Sequence, residues 1–253
     1  MGNTVATTER EQADALLRLQ DVGVSYRKEL SLFGSERQEV LSGLSFDLLA
    51  GETLGVLGRN GAGKSTLLKL LADIIQPDAG SIERNTGRIQ LLSLQVGFMP
   101  HLTGRQNAVM AGILLGLRRR DMMARMDSII EFSELSDKID EPVRNYSSGM
   151  RARLGFAISI QTDPDVLLID EVLGVGDALF QPKAKRVITD RIQSGETVVI
   201  VSHNDRTLRE YCDRVVWIAD GQVRMLGEPG TVIDAYLEAT RQQKTKLAGT
   251  GTP

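Results

Sequence analysis

Two short stretches of the chain carry residues suited to handling a polyphosphate. Residues 58–66 read GRNGAGKST, with Gly58, Gly61 and Gly63 where a backbone must turn tightly and bring successive N–H groups against phosphate oxygens. Lys64 supplies a long cationic arm for the β and γ phosphates, and the Ser65 hydroxyl is a hard oxygen ligand of the kind Mg²⁺ prefers. Arg59, Asn60, Ala62 and Thr66 complete the loop. Far downstream, residues 165–171 read DVLLIDE, an apolar run ending in two adjacent carboxylates. Asp170 is placed to hold Mg²⁺ through water, and Glu171 to polarise an attacking water as general base.

Both stretches need elements that aim them. The glycine loop follows an apolar TLGVL and precedes LLKLLADII, which has helical spacing. That is the strand–loop–helix setting the pattern G-x-x-x-x-G-K-[ST] requires, and the positive end of the helix points at the same anion. A glycine-rich turn that merely starts a helix is the plainer alternative. The bare pattern arises by chance in about one chain in a hundred of this length, and the context lowers that further. Two neighbouring acids are ordinarily solvated surface, but after a wholly apolar strand they fall at the C-terminal edge of a sheet, where α/β sites form.

Strand-like runs recur at 16–19, 44–48, 53–57, 166–169, 197–201 and 215–218. DVLLI and TVVIV have no polar face, as expected of parallel strands covered on both sides. Asp220-Gly221 stands between two apolar runs and signals a hairpin. Residues 95–163 differ: 105–117 and 118–132 have helical spacing, and Met122, Met126, Ile129 and Ile130 share one face that reads as core. The expected fold class is α/β, a P-loop nucleotide-binding core with a mixed sheet, an antiparallel β portion and an inserted α-helical lobe at about 95–163. One domain spans 15–240, flanked by polar stretches at 1–14 and 241–253 expected to be flexible tails.

Composition narrows the function classes. The 253 residues are 42% hydrophobic and 25% charged, enough for a substantial core. A net charge of −3 and a pI near 5.6 give no broad basic field for nucleic acid or anionic lipid. The run Arg118, Arg119, Arg120 is short enough to be a solvated helix start. Cys212 is the single cysteine; it excludes an internal disulfide, fits a reducing compartment and reads as a small packing residue. Nothing approaches the run of apolar residues a membrane helix needs, and residues 1–12 have no secretory pattern.

These motifs establish nucleotide use without naming the machine; the guanine-reading Asn-Lys-x-Asp of GTPases is missing. Residues 145–160, NYSSGMRARLGFAISI, decide the matter. They resemble the ABC ATPase signature LSGGQ and its helix, with Tyr146, Ser147, Ser148, Gly149 and Met150 at the five positions. The serine and the helix N-terminus offer an anion site. The resemblance, which covers about 16–237, implies that Ser147 and Gly149 meet the γ-phosphate of ATP bound by a second copy. It further implies that His203 senses that phosphate, that residues 174–177 (GVGD) link the two ATP sites, and that Tyr26 stacks on adenine. Gln95 would join Mg²⁺ to the helical lobe, its spacing to the next motif being one residue off the common pattern. His101 has no matching role.

The stretch GFMPHLTGRQN (97–107), YSSGM (146–150) and IDEVLGVGDALFQ (169–181) resemble a narrower branch, the ATPases of bacterial exporters of O-antigen, capsule, galactan or teichoic acid precursors. The resemblance implies ATP and Mg²⁺ as cofactors, a homodimer sandwiching two ATP molecules, and a transmembrane permease subunit as partner. It implies no nucleic-acid partner and no direct membrane insertion, with the protein peripheral at the cytoplasmic face of the inner membrane. Some members carry a further C-terminal glycan-binding domain, for which few residues remain here. Two alternatives stay open: a transporter of a different lipid or small solute, and a soluble ABC ATPase of translation or DNA repair. The latter generally has paired ATPase units or a long coiled coil, whereas this sequence shows one P-loop and no heptad run.

Overall fold

The computed structural model describes residues 15–31, 34–92, 97–170 and 179–249. Two long strands, β1 (Ala15–Ser31) and β2 (Gly34–Leu49), are followed by β3 (Thr53–Leu57), which runs through the glycine loop into helix α1 (Lys64–Leu71); β4 (Ala79–Arg84) and β5 (Ile89–Leu92) come next. Strands β1, β2 and β4 make an antiparallel sheet ordered β2-β1-β4. Among the described residues a second sheet has six strands, ordered β5-β6-β7-β3-β8-β9, with β6 (Val166–Asp170), β7 (Thr197–Val201), β8 (Arg214–Ala219) and β9 (Gln222–Gly227). It is parallel except for the β8–β9 hairpin.

The strands without a polar face stand at the centre of that second sheet because both faces are covered. Val166 and Leu168 of β6, Val199 and Val201 of β7, and Leu54 and Val56 of β3 share one core with α1 and the antiparallel sheet. Their neighbours Leu167, Ile169, Val198, Ile200 and Leu57 enter a second core on the opposite face. Alternation by two sends successive side chains to different cores, which explains runs such as DVLLI. Helices α6 (Phe180–Gln193), α7 (Asp205–Tyr211) and α8 (Pro229–Gly249) cover this second face.

Between β5 and β6 the described chain is helical: α2 (Gly104–Leu114), α3 (Arg119–Ala124), α4 (Met126–Ser133), a 3₁₀ turn at Val143–Asn145, and α5 (Ser148–Ser159). Met122, Met126 and Ile129 are buried in a third core belonging to this lobe, with Ile130 packed against it. The stretch 118–132 is two helices, not one, because Arg125 sits at φ −93° and ψ 0° and opens the turn between them. Arg118, Arg119 and Arg120 are exposed. Phe132 of α4, Phe156 of α5 and Phe180 of α6 pack with ring centroids 5.5 to 5.9 Å apart, tying the lobe to the second core.

Other features also differ from the sequence expectation. Strand β4 carries one aliphatic residue among mostly exposed neighbours and is held by its pairing with β1, a signal that hydrophobic alternation does not give. Helix α8 continues through Gly249, past residue 240 where a tail was expected. Residues 241–249 contain no proline and are rich in Arg, Gln, Lys, Leu and Ala, so extending the helix costs little per residue.

Candidate functional site

The parallel strands β3, β6 and β7 end at the same edge of the sheet. Asp170, the last residue of β6, pairs with Val201, the last residue of β7, and β3 delivers the glycine loop beside them. The crevice above such strand ends is where an α/β sheet can receive a ligand.

The loop geometry explains its glycines. Gly63 lies at φ +99°, and a Cβ there would come within 2.5 Å of Leu41 Cδ2. At Gly58 a Cβ would meet the Ile218 carbonyl oxygen at 2.4 Å, so β3 can pass into the loop against β8 only without a side chain. Gly63 is the N-cap of α1, and among the described residues no side chain caps that terminus. By contrast Thr103, Ser147 and Asn204 accept hydrogen bonds from the first-turn amides of α2, α5 and α7. Helix α1 thus presents amides to the crevice that its own sequence leaves for an anion.

A cavity of 630 Å³ opens here, lined by Tyr26, Val40, Asn60, Gly61, Gly63, Lys64, Ser65, Thr66 and Asp170. Lys64 is buried, and its ammonium donates to the Gly58 carbonyl at 2.8 Å and the Arg59 carbonyl at 3.0 Å. The cation is therefore held at the loop by neutral acceptors, which a phosphate oxygen would outcompete as a charged one. Ser65 Oγ donates to Asp170 Oδ2 across 3.4 Å. One hydroxyl and one carboxylate at the mouth of a phosphate cradle fit Mg²⁺, which is commonly bound by one or two protein oxygens together with substrate phosphates. Among the described residues no group of three or more His, Cys, Asp or Glu gathers into a cage.

The remaining sequence candidates fall into four groups. Arg59 and Ala62 turn away from this cavity toward α8; they line a smaller one of 220 Å³ with Trp217 and Tyr236, and Arg59 Nη1 donates to Gln243 Oε1 at 2.7 Å. Ser147 and Gly149 stand at the N-terminus of α5, where Ser147 Oγ accepts from the Met150 amide at 3.1 Å, outside the cavity lining. His203 is exposed two residues beyond the end of β7, at the same sheet edge as Asp170. Glu171, Gln95 and residues 174–177 lie outside the described residues. Val40, which lines the cavity near Tyr26, was not singled out; an aliphatic residue in a strand gives no sign of facing a ligand. His101 is exposed.

Cys212 is not among the residues that line this cavity. It is a free thiol, and burial, with Asp213 as a secondary cause, pushes its pKa up to about 12. Among the described residues no helix is long and apolar enough to cross a membrane.

Comparison with known proteins agrees with this geometry. The family model described as ABC transporter matches residues 41–174, more than half of the chain. The chain is 43% identical to the O-antigen export system ATP-binding protein RfbB of Myxococcus xanthus over 96% of this chain and 60% of that protein. It is also 43% identical to RfbB of Klebsiella pneumoniae, over 87% of this chain and 90% of that protein. The teichoic acids export ATP-binding protein TagH of Lactococcus lactis is 41% identical over 84% of this chain, which spans less than half of it, 46%. Among solved structures, the ATP-binding cassette MJ0796, a dimer bound to ADP and Pi, superposes with a TM-score of 0.69 at 20% identity, over 84% of this chain and 98% of that one. CbiO1 from Clostridium perfringens gives 0.64 at 22% identity, over 94% and 98%. At such identities these two establish the fold, an α/β P-loop ATPase cassette. With loop, carboxylate strand and signature helix in one cassette and relatives above 40% identity, the chain belongs to the ABC transporter family, among its ATP-binding, ATP-hydrolysing subunits.

Proposed function

We propose that this chain binds ATP with Mg²⁺ and hydrolyses it to drive export of a lipid-linked polysaccharide through a separate membrane permease. The observation that carries the ATPase part is the convergence of Lys64, Ser65 and Asp170 on one cavity from two strands far apart in sequence. Amides of the loop and of α1 bind phosphate, Lys64 neutralises the terminal phosphates, and Ser65 and Asp170 would hold Mg²⁺. Mg²⁺ supplies charge neutralisation of the phosphoryl oxygens. Glu171, next along the chain from Asp170, takes a proton from the attacking water. Tyr26 offers its ring to the base, Gln95 would join Mg²⁺ to the helical lobe, and His203 reports the state of the γ-phosphate.

Ser147 and Gly149 do not line the cavity of their own chain, which supports a homodimer in which each α5 N-terminus closes the partner's ATP site. Closure follows from tighter binding of ATP to the closed state, and hydrolysis reverses it. An open groove of 540 Å³ between lobe and core, bordered by Asp73, Ile74, Arg84, Arg88, Leu114 and Leu115, suits a cytoplasmic helix of the permease. Ile74 and Leu114 are 59% and 79% exposed there, available as apolar anchors. The protein then sits at the cytoplasmic face of the inner membrane through that partner. The export names of the RfbB and TagH relatives support a polysaccharide cargo.

The test is to replace the chromosomal copy with Lys64→Ala and stain glycans from inner and outer cell fractions. Loss of surface polymer with accumulation inside supports the proposal. Unchanged surface polymer without internal build-up would leave the ATPase standing and refute the cargo.

A further inference from the structure

The residue before the signature serine is a tyrosine, and the structure gives its hydroxyl a specific task. Tyr146 is buried at 4% exposure, and its hydroxyl donates to the Lys138 carbonyl at 2.6 Å. Its amide donates to the Val143 carbonyl at 3.0 Å, and its own carbonyl accepts from Arg151 Nη1 at 2.9 Å. Three directions of constraint thus meet one residue before the N-cap of α5.

Lys138 belongs to a segment that is itself bonded strand-like to residues 100–105. Arg144 N donates to Pro100 O at 2.8 Å, Val143 N to Leu102 O at 2.9 Å, Arg105 N to Ile139 O at 2.9 Å and Gly104 N to Glu141 O at 3.2 Å. Arg105 adds a forked pair with Asp140 at 2.8 and 3.0 Å. The other side of this ladder is pinned by Asn107, 2% exposed, whose side chain accepts from Met99 N and donates to the carbonyls of Met99, Leu102 and Thr103. A Cβ on Gly104 would stand 2.3 Å from the Tyr146 hydroxyl, so the ladder approaches the ring as closely as the backbone permits.

We infer that Tyr146 is a positioning residue whose hydroxyl locks Ser147 and the α5 N-terminus to the 99–107 turn, so that both move as one body. The inference rests on the composite-site reading above. It assigns the tyrosine a role that a leucine at the same place could not perform, because only a hydroxyl reaches Lys138 O while the ring fills the lobe core. Burial, with Glu141 and Asp140 nearby as lesser causes, pushes the phenol pKa up to about 12, so the donor stays protonated at neutral pH. Without the bond the lobe core still packs around the ring, but Ser147 loses its fixed distance from the turn. The α5 amides then reach the partner's phosphate from a broader set of positions, and dimer closure weakens while ATP binding to one chain does not.

The experiment uses the full chain in the Glu171→Gln background, measuring ATP affinity by nucleotide titration and ATP-driven dimerisation by light scattering, well below the thermal midpoint. Tyr146→Phe is expected to leave ATP affinity within twofold and to weaken dimerisation by about tenfold, the factor that corresponds to about 1.4 kcal/mol of α5 ordering that the parent has in advance and the variant must supply on closure. Gly104→Ala, which drives a methyl into the hydroxyl, is expected to weaken dimerisation too. The double variant should do better than the product of the two single effects, because the collision disappears with the hydroxyl. Ser147→Arg serves as control for the composite site. If that control dimerises normally, the composite reading itself fails. If the control fails to dimerise while Tyr146→Phe dimerises like the parent, or the two single effects multiply without coupling, the positioning role is overturned and the tyrosine only fills space.

Discussion

Ser65 Oγ lies 3.4 Å from Asp170 Oδ2, although 105 residues separate them in sequence. The contact exists because β7 stands between β3 and β6 in a parallel sheet, so the loop after β3 and the last residue of β6 reach the same edge. A hydroxyl and a carboxylate brought together beside a helix start with no side-chain cap among the described residues would hold Mg²⁺ next to a bound phosphate.

Lys64 is the charged side chain of the neighbouring phosphate loop, held by the Gly58 and Arg59 carbonyls. Lys64→Ala removes charge-assisted bonds to phosphate worth about 1.5–3 kcal/mol, so ATP should bind roughly 10- to 150-fold more weakly. Titration with a fluorescent ATP analogue measures this, and an affinity within twofold of the parent would exclude Lys64 from phosphate binding.

Glu171→Gln keeps size and hydrogen bonding while losing basicity. ATP should still bind and promote a dimer, and steady-state turnover should fall by about 10² or more. Near-normal phosphate release by this variant would remove Glu171 from the role of general base.

How much of this was legible beforehand follows from what each signal depends on. The glycine loop, Asp170 and the wholly apolar strands are local patterns, and Asp220 at φ 51° with Gly221 at φ 73° forms the turn that Asp-Gly announces. Ser147 as a helix cap was equally local. Arg59 was grouped with the phosphate loop by its place in the motif, yet its side chain pairs with Gln243 on α8, a contact across the fold that no spacing encodes. Val40 lines the cavity because β2 passes the loop, and β4 exists because β1 offers it an edge. Tertiary neighbours, not their own sequence, make these residues what they are.

Phe156 is fully buried between Phe132 and Phe180 and joins the helical lobe to the second core. Phe156→Ala should destabilise the protein by about 3–5 kcal/mol through lost burial and the cavity left behind. Urea unfolding checks this; a loss below about 1 kcal/mol would mean that the three rings do not hold the lobe in place.

Cys212, with its thiol pushed up to about 12, should resist alkylation in the native state. At pH 8 only about one molecule in ten thousand carries the thiolate that reacts. Because the folded chain keeps a proton that the unfolded chain gives up near the ordinary cysteine value, this group's contribution to stability is intact below that value. It declines as pH rises from there toward 12. Iodoacetamide labelling with and without denaturant measures the first effect, and rapid native labelling at pH 8 would contradict it.

Composite ATP sites built from two chains are the centre of this account, and Ser147→Arg in the Glu171→Gln background tests them most directly. Light scattering with and without ATP, paired with nucleotide titration, should find ATP bound to the single chain with near-parental affinity and no ATP-driven dimer. Loss of nucleotide binding by the isolated chain, or a dimer forming as it does without the substitution, would contradict the account.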